Sequence, residues 1–189
     1  IRWVDSLSKA LGHSFGWCIV MLTLGTSYEV FMRYVLNSPT TWAYDMSYIF
    51  YGALFMMGGA YTLSKNAHVR GDFIYRKWQP RTQAKVEMTL YILFFMPGIL
   101  ALVITGFFYA WQSASILEVS VNSPAGVPVW PLKVVIVVSG VSMLLAGTAE
   151  ICRCLLCIKS GQWPSRDDDV KELEDVLLET YGTDPGAKK

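Results

Sequence analysis

The chain has 189 residues, 53% of them hydrophobic and 16% charged, with a formal net charge of +1. A typical soluble domain carries roughly 25% charged residues, and the few charges here are bunched, leaving four long apolar runs between them. The pattern excludes an ordinary soluble fold and a nucleic-acid-binding surface, and predicts an all-α integral membrane protein with four transmembrane helices.

In chain order, residues 1–14 come first as a short amphipathic segment. Trp3, Val4, Leu7 and Leu11 share one helical stripe while Arg2, Asp5 and Lys9 lie elsewhere, a spacing suited to a helix lying in the membrane interface. The membrane domain is expected over 15–159, with helices at 15–36, 42–64, 86–111 and 131–157, each long enough to cross about 30 Å of hydrocarbon. The first apolar run is too long for a signal peptide and lacks a small-residue cleavage site after it, so no cleavable leader is expected.

Glu29 and Arg33 stand four apart near the far end of the first predicted helix and share a face. Asp45 enters the second helix at similar depth, three residues after Trp42. Arg33 can bridge two carboxylates with its planar fork, so Glu29, Arg33, Trp42 and Asp45 are expected to clamp the first two helices together or to a partner protein. An ion or substrate pathway is the competing reading, but no ladder of polar residues crosses the membrane. Gly52 and Gly59 in the second helix, and Gly140 and Gly147 in the fourth, fall on one face each and permit close backbone approach.

The turn "SKNAHVRGDFIYRKWQP" (64–80) sets His68, Arg70 and Asp72 on alternate positions. One histidine and one acid are too few for a usual metal site, and the basic, interfacial surroundings give no pocket for acid–base work. The trio is expected to order a cytoplasmic turn. Between the third and fourth helices, "VSVNSPAGVPVWPLK" (119–133) is rich in Pro and Gly, so Ser123, Pro124, Pro128 and Trp130 are candidates for an ordered docking loop. Glu150 is expected to stand alone in the fourth helix. Cys152, Cys154 and Cys157 crowd the end of that helix, with no histidine or second cysteine pair nearby in sequence to complete a metal site. Residues 160–189 form an acidic tail, part helical or disordered: from residue 161 onward it carries a net charge of −4 against +5 for the rest.

Orientation follows from Lys and Arg. The segment 65–85 holds Lys65, Arg70, Arg76, Lys77, Arg81 and Lys85 with a single acid, whereas 37–41 is uncharged and 112–130 carries only Glu118. The positive-inside rule puts both termini and the middle loop in the cytoplasm. His13 and His68 both fall near that surface, so paired axial ligands for haem are missing and a cytochrome-like redox anchor is disfavoured. A membrane enzyme with a cytoplasmic site around His68 and Asp72 is the other rival.

The stretch "RYVLNSPTTWAYDMSYIFYGALFMMGGAYTLSKNAHVRGDFIY" resembles the small membrane subunit of tripartite ATP-independent periplasmic (TRAP) transporters. The likeness lies in the aromatic-plus-acid start of the second helix (Trp42, Asp45), the His-x-Arg-x-Asp turn (His68, Arg70, Asp72) and the Pro- and Trp-containing loop before the fourth helix. Two departures are an Asp at 45, where Glu is common, and the longer acidic tail. The resemblance implies a non-catalytic scaffold in the inner membrane of a bacterium or archaeon. Its partners would be a large membrane subunit carrying the sodium and substrate sites and a periplasmic solute-binding protein delivering an organic acid. No cofactor or metal is then expected in this chain; contact with membrane lipids, bound lipid included, is allowed for.

Overall fold

The computed structural model describes residues 2–65 and 78–164, leaving aside the side chains of Arg2 and Ser64. Its elements are α1 (Arg2–Gly16), α2 (Cys18–Tyr34), α3 (Ala43–Ser64), α4 (Pro80–Leu90), a π-helical turn (Tyr91–Phe95), α5 (Met96–Ser115) and α6 (Trp130–Ser160). Among the described residues every regular element is helical, and the one β-type pairing is an isolated bridge between Val119 and Pro128. The His68–Arg70–Asp72 turn and the acidic tail beyond Pro164 lie outside the described residues.

Among the described residues three helical stretches are long and apolar enough to cross a membrane: Trp3–Tyr34, Pro80–Ser115 and Trp130–Ser160. The 22-residue α3 is not among them. Its length reaches about 33 Å, but Asp45, its tyrosines and its glycines dilute its apolar content. From Arg2 onward, the amphipathic segment expected at residues 1–14 falls within α1, which runs almost directly into α2. Trp17 alone separates α1 from α2, and it keeps helical backbone angles while its carbonyl accepts from the Val20 and Met21 amides.

Pro97 explains the interruption between α4 and α5. A proline inside a helix lacks an amide hydrogen and its ring collides with the carbonyl four residues earlier. That carbonyl belongs to Leu93, inside the π-helical turn Tyr91–Phe95. The widened turn is the relief expected at such a site.

The remaining ends follow local chemistry. Asn37 takes positive φ after α2, a conformation Asn tolerates better than most residues, and the Ser38 amide bonds the Met32 carbonyl at 3.0 Å. Pro131 sits in the first turn of α6, where its missing amide costs no helical bond. Gly161 stops α6 in the left-handed conformation at φ 81°, its amide bonded to the Cys157 carbonyl at 2.8 Å.

Helix α6 is the central element, packed against α3, α4 and α5, whereas α2 lies at the edge, mainly against α3. Eight of the buried α6 residues are small: Ser139, Gly140, Ser142, Ala146, Gly147, Ala149, Cys154 and Cys157. No residue of α2 is buried. Without a hydrophobic drive between helices in lipid, such small faces let backbones approach closely. Gly52 and Gly59 of α3 face Leu132 and Met143 of α6, so these two helices do touch. The α6 glycines serve a different neighbour: Gly140 lies under Val103, and Gly147 under Phe95 of the π-helical turn.

A Cβ at position 147 would stand 2.5 Å from Phe95 Cε1, whereas one at Gly58 would meet nothing within 4 Å. Gly147→Ala is therefore expected to destabilise the protein by roughly 1–3 kcal/mol, as overpacking does. Gly58→Ala should be neutral or slightly stabilising. Thermal unfolding of both variants in detergent checks the contrast.

Candidate functional site

The ionised side chains of the described residues gather at two ends. No Asp, Glu, Lys or Arg occurs in 18–28, 46–64, 88–117 or 134–149. One end, the loop end, carries the connections 35–42 and 116–129; the other, the tail end, carries the start of α1 and the end of α6.

At the loop end, Glu29 is held on both carboxylate oxygens. Oε1 accepts from Arg33 Nε at 2.9 Å and Nη2 at 2.6 Å, and Oε2 accepts from the Thr40 amide at 2.9 Å and from the Thr40 hydroxyl. The carboxylate thus ties the end of α2 to the turn that follows it. Trp42 stacks on Tyr28 across the same corner, with ring centroids 6.1 Å apart. Asp45 does not join this pair. Among the described residues Arg33 makes no bridge between two carboxylates, because Asp45 turns the other way and accepts the Ser123 hydroxyl through Oδ2. The expected four-residue clamp is thus two separate fastenings, one within the α2–α3 corner and one from α3 to the 116–129 loop.

That loop has a further anchor. The Lys133 ammonium, buried in the first turns of α6, pairs with Glu118 and lies 3.9 Å from the centroid of the Tyr109 ring. Backbone bonds from Ser120 N–H to Val127 O (2.7 Å) and from Val129 N–H to Glu118 O (3.0 Å) close the loop on itself, with Gly126 supplying a positive φ of 65°. Ser123 is half-buried by its bond to Asp45, Trp130 is half-buried at the start of α6, and Pro124 and Pro128 are exposed. Val121 at the loop tip is 97% exposed.

At the tail end Glu150 does not stand alone. Arg153 donates to Glu150 one helical turn away and reaches across to Asp5 of α1 at 2.5 Å. Glu150 and Arg153 are both buried. Buried ions need partners, since their desolvation costs several kcal/mol each, and this triad supplies them while fastening α1 to α6. Beside it, Gly12 lets α1 approach Tyr61 of α3, and His13 meets the same ring edge-on while its Nδ1 lies 2.9 Å from the Lys9 carbonyl. Cys154 and Cys157 are buried between α4 and α6 near Ala84, and Cys152 is exposed. Among the described residues no group of three or more His, Cys, Asp or Glu side chains is placed to hold a metal ion.

Among the described residues the arrangement fastens helices together, and no Asp, Glu, Lys or Arg lies between the two ends. A family model described as "Tripartite ATP-independent periplasmic transporters, DctQ component" matches residues 22–157, well over half of the chain. The chain belongs to this family. It is a TRAP transporter component of the inner membrane, not an enzyme. No curated protein matches it. The matched region of this DctQ component contains Glu29, Arg33, Asp45, Glu118, Lys133, Glu150 and Arg153, whereas Asp5 and the whole of α1 precede it.

Sequence reasoning missed both loop-end pairings of the 116–129 connection and the tail-end triad. The i, i+3 spacing of Glu150 and Arg153 was a legible signal. The contacts to Asp5, Ser123 and Glu118 join residues distant in sequence, and no local pattern announces them.

Two outcomes follow from the ion pairs. Arg153→Met removes the buried guanidinium that joins Glu150 to Asp5 and should lower stability by about 3–5 kcal/mol, with part of the loss restored in Glu150→Gln/Arg153→Met; thermal unfolding of the two variants reads this. At the loop end, the Lys133 ammonium holds the Glu118 carboxyl below the usual range against a smaller opposing effect of burial. A depressed carboxylate contributes stability above its unfolded value of about 4.3 and loses it as pH falls through the lower folded value. The difference in thermal stability between wild type and Glu118→Gln should therefore stay constant from neutral pH to about 4.3 and shrink only below it.

Proposed function

We propose that this DctQ component crosses the membrane four times, with α3 as the second crossing and both termini and residues 66–77 in the cytoplasm. The loop end is then periplasmic and the tail end cytoplasmic. In this reading the chain is the scaffold of a sodium-coupled system for uptake of an organic acid. It pairs with a large membrane subunit that carries the sodium and substrate sites, and a periplasmic solute-binding protein delivers the solute.

The observation that carries this reading is the distribution of charge. Each loop-end ionised group contacts a named group of this chain, and the helices between the two ends are free of Asp, Glu, Lys and Arg. A protein that moved a charged solute through itself would need polar groups along the path, since a charge at mid-membrane is costly. A stationary brace needs fasteners at its two faces.

The 116–129 loop, with Trp130 at its end, is the docking surface in this reading. It is anchored at Asp45 and Lys133 while Val121, Pro124 and Pro128 stay exposed. Shortening the chain between Ser123 and Trp130 should leave co-purification with the large subunit intact and reduce solute uptake in reconstituted vesicles. Unchanged uptake rules the docking role out. If the shortened chain fails to assemble, charged substitutions at Val121 and Pro124 carry the same test. Transport of sodium or an organic acid by this chain reconstituted alone would overturn the scaffold reading as a whole.

A further inference from the structure

We propose that the groove between α2 and α3 at the loop end is a phospholipid site, its phosphate held by Arg33 and one acyl chain lying along Val30 and Ala43. The groove is lined by Thr26, Glu29, Val30, Arg33 and Tyr34 from α2 and by Ala43, Tyr44 and Ser47 from α3. Its mouth and its floor have different chemistry, and the two together select the ligand.

At the mouth, the guanidinium has N–H groups to spare. Arginine carries five donors, and Glu29 takes one from Nε and one from Nη2. The Arg33 side chain is 54% exposed and that of Glu29 only 12%, so the pair turns its positive member outward. The other loop-end charges are withdrawn: Asp45 and Lys133 are buried, and Glu118 is spent on Lys133. An incoming group therefore meets a cation. Tyr34 and Tyr44 flank the mouth, largely exposed, and such aromatic rings favour headgroup depth.

Below the mouth the groove is apolar despite its two hydroxyl residues. Thr26 Oγ1 donates to the Leu22 carbonyl at 2.8 Å, and Ser47 Oγ donates to the Ala43 carbonyl at 2.7 Å. Both hydroxyl protons are thus returned to their own helices. An acyl chain suits such a trough, and an empty trough would forfeit dispersion contacts. A carboxylate from a partner protein would use Arg33 and leave the trough unfilled; free phosphate would do the same. A phospholipid occupies both parts at once, its phosphate on the guanidinium and its chain in the trough.

The test is lipid retention by the purified full chain, read by native mass spectrometry after titration with phosphatidylglycerol. A diacylglycerol with the same chains and inorganic phosphate serve as controls. Phosphatidylglycerol should be retained roughly tenfold better than the diacylglycerol, the gain expected of a charge-assisted phosphate contact, and inorganic phosphate should not displace it. Arg33→Gln should weaken retention to a similar degree. Val30→Trp, which fills the trough and leaves the Glu29–Arg33 pair in place, should weaken it too.

Retention unchanged in both variants overturns the site, and assigns Arg33 to a protein carboxylate if it also cross-links to one in the assembled transporter. Displacement by inorganic phosphate, or loss in Arg33→Gln alone, overturns the acyl trough and leaves a simple anion contact. Only the leaflet that supplies the lipid rests on the proposed orientation. Binding is read on the chain itself, so its failure and that of the scaffold reading are separate results.

Discussion

The packing of this protein depends on one helix being thin where its neighbours pass. In lipid, helices gain nothing from hiding apolar surface from one another, so their association rests on the closeness of contact. Helix α6 meets that demand with its run of Ser, Gly and Ala. Bulk comes from the other side: Leu102 and Val103 lie over Gly140, Phe95 lies over Gly147, and Met143 of α6 fits the space left by Gly59. Large groups enter gaps left by small ones, with no polar atom required at mid-membrane. The π-helical turn belongs to the same fit, because Phe95, the residue seated on Gly147, is its last member.

Close packing of bare helices fixes their separation but holds their ends weakly, and the charges act there. At the tail end, Arg153 locks α1 to α6 through Asp5 and draws its own carboxylate, Glu150, into the same buried group. At the loop end, Asp45 and Lys133 hold the 116–129 connection at two points, while Glu29 closes the α2–α3 turn. Asp45, Lys133, Glu150 and Arg153 are buried, and each is held by a partner that offsets part of the cost of its desolvation. Among the described residues the ion pairs thus sit at the two ends and none lies between them, in keeping with the proposed scaffold role.

Much of the helical framework was legible in the sequence, because long apolar runs free of Asp, Glu, Lys and Arg are a strong and local signal. The Glu29–Arg33 pair was legible for the same reason, its two members lying one turn apart. Its partner was not: Asp45 looked equally placed to complete a clamp, and only the folded arrangement shows it bonded to Ser123, 78 residues away. Lys133 and Glu118 lie on opposite sides of a loop whose path depends on Gly126 and on the Val119–Pro128 bridge, so their meeting was not written in any spacing. Pro97 was the overlooked local signal. It lies inside the run expected as one helix, and its ring makes an uninterrupted α-helix through Leu93 unfavourable.

The position of α2 bears on how such a brace would meet a second membrane protein. It rests on α3 alone for nearly all its packing, buries none of its own residues, and leaves Leu24, Tyr28, Phe31 and Tyr34 exposed along its length. Lipid can cover such a surface, so exposure alone says nothing about a partner. Its fastening says more. A helix that needed only to sit in lipid would not require a doubly satisfied carboxylate at its end, yet Glu29 fixes α2 to the turn leading into α3, and the Tyr28–Trp42 stack braces the same corner. The edge helix is thereby tied to the turn that leads into α3, the helix against which it packs.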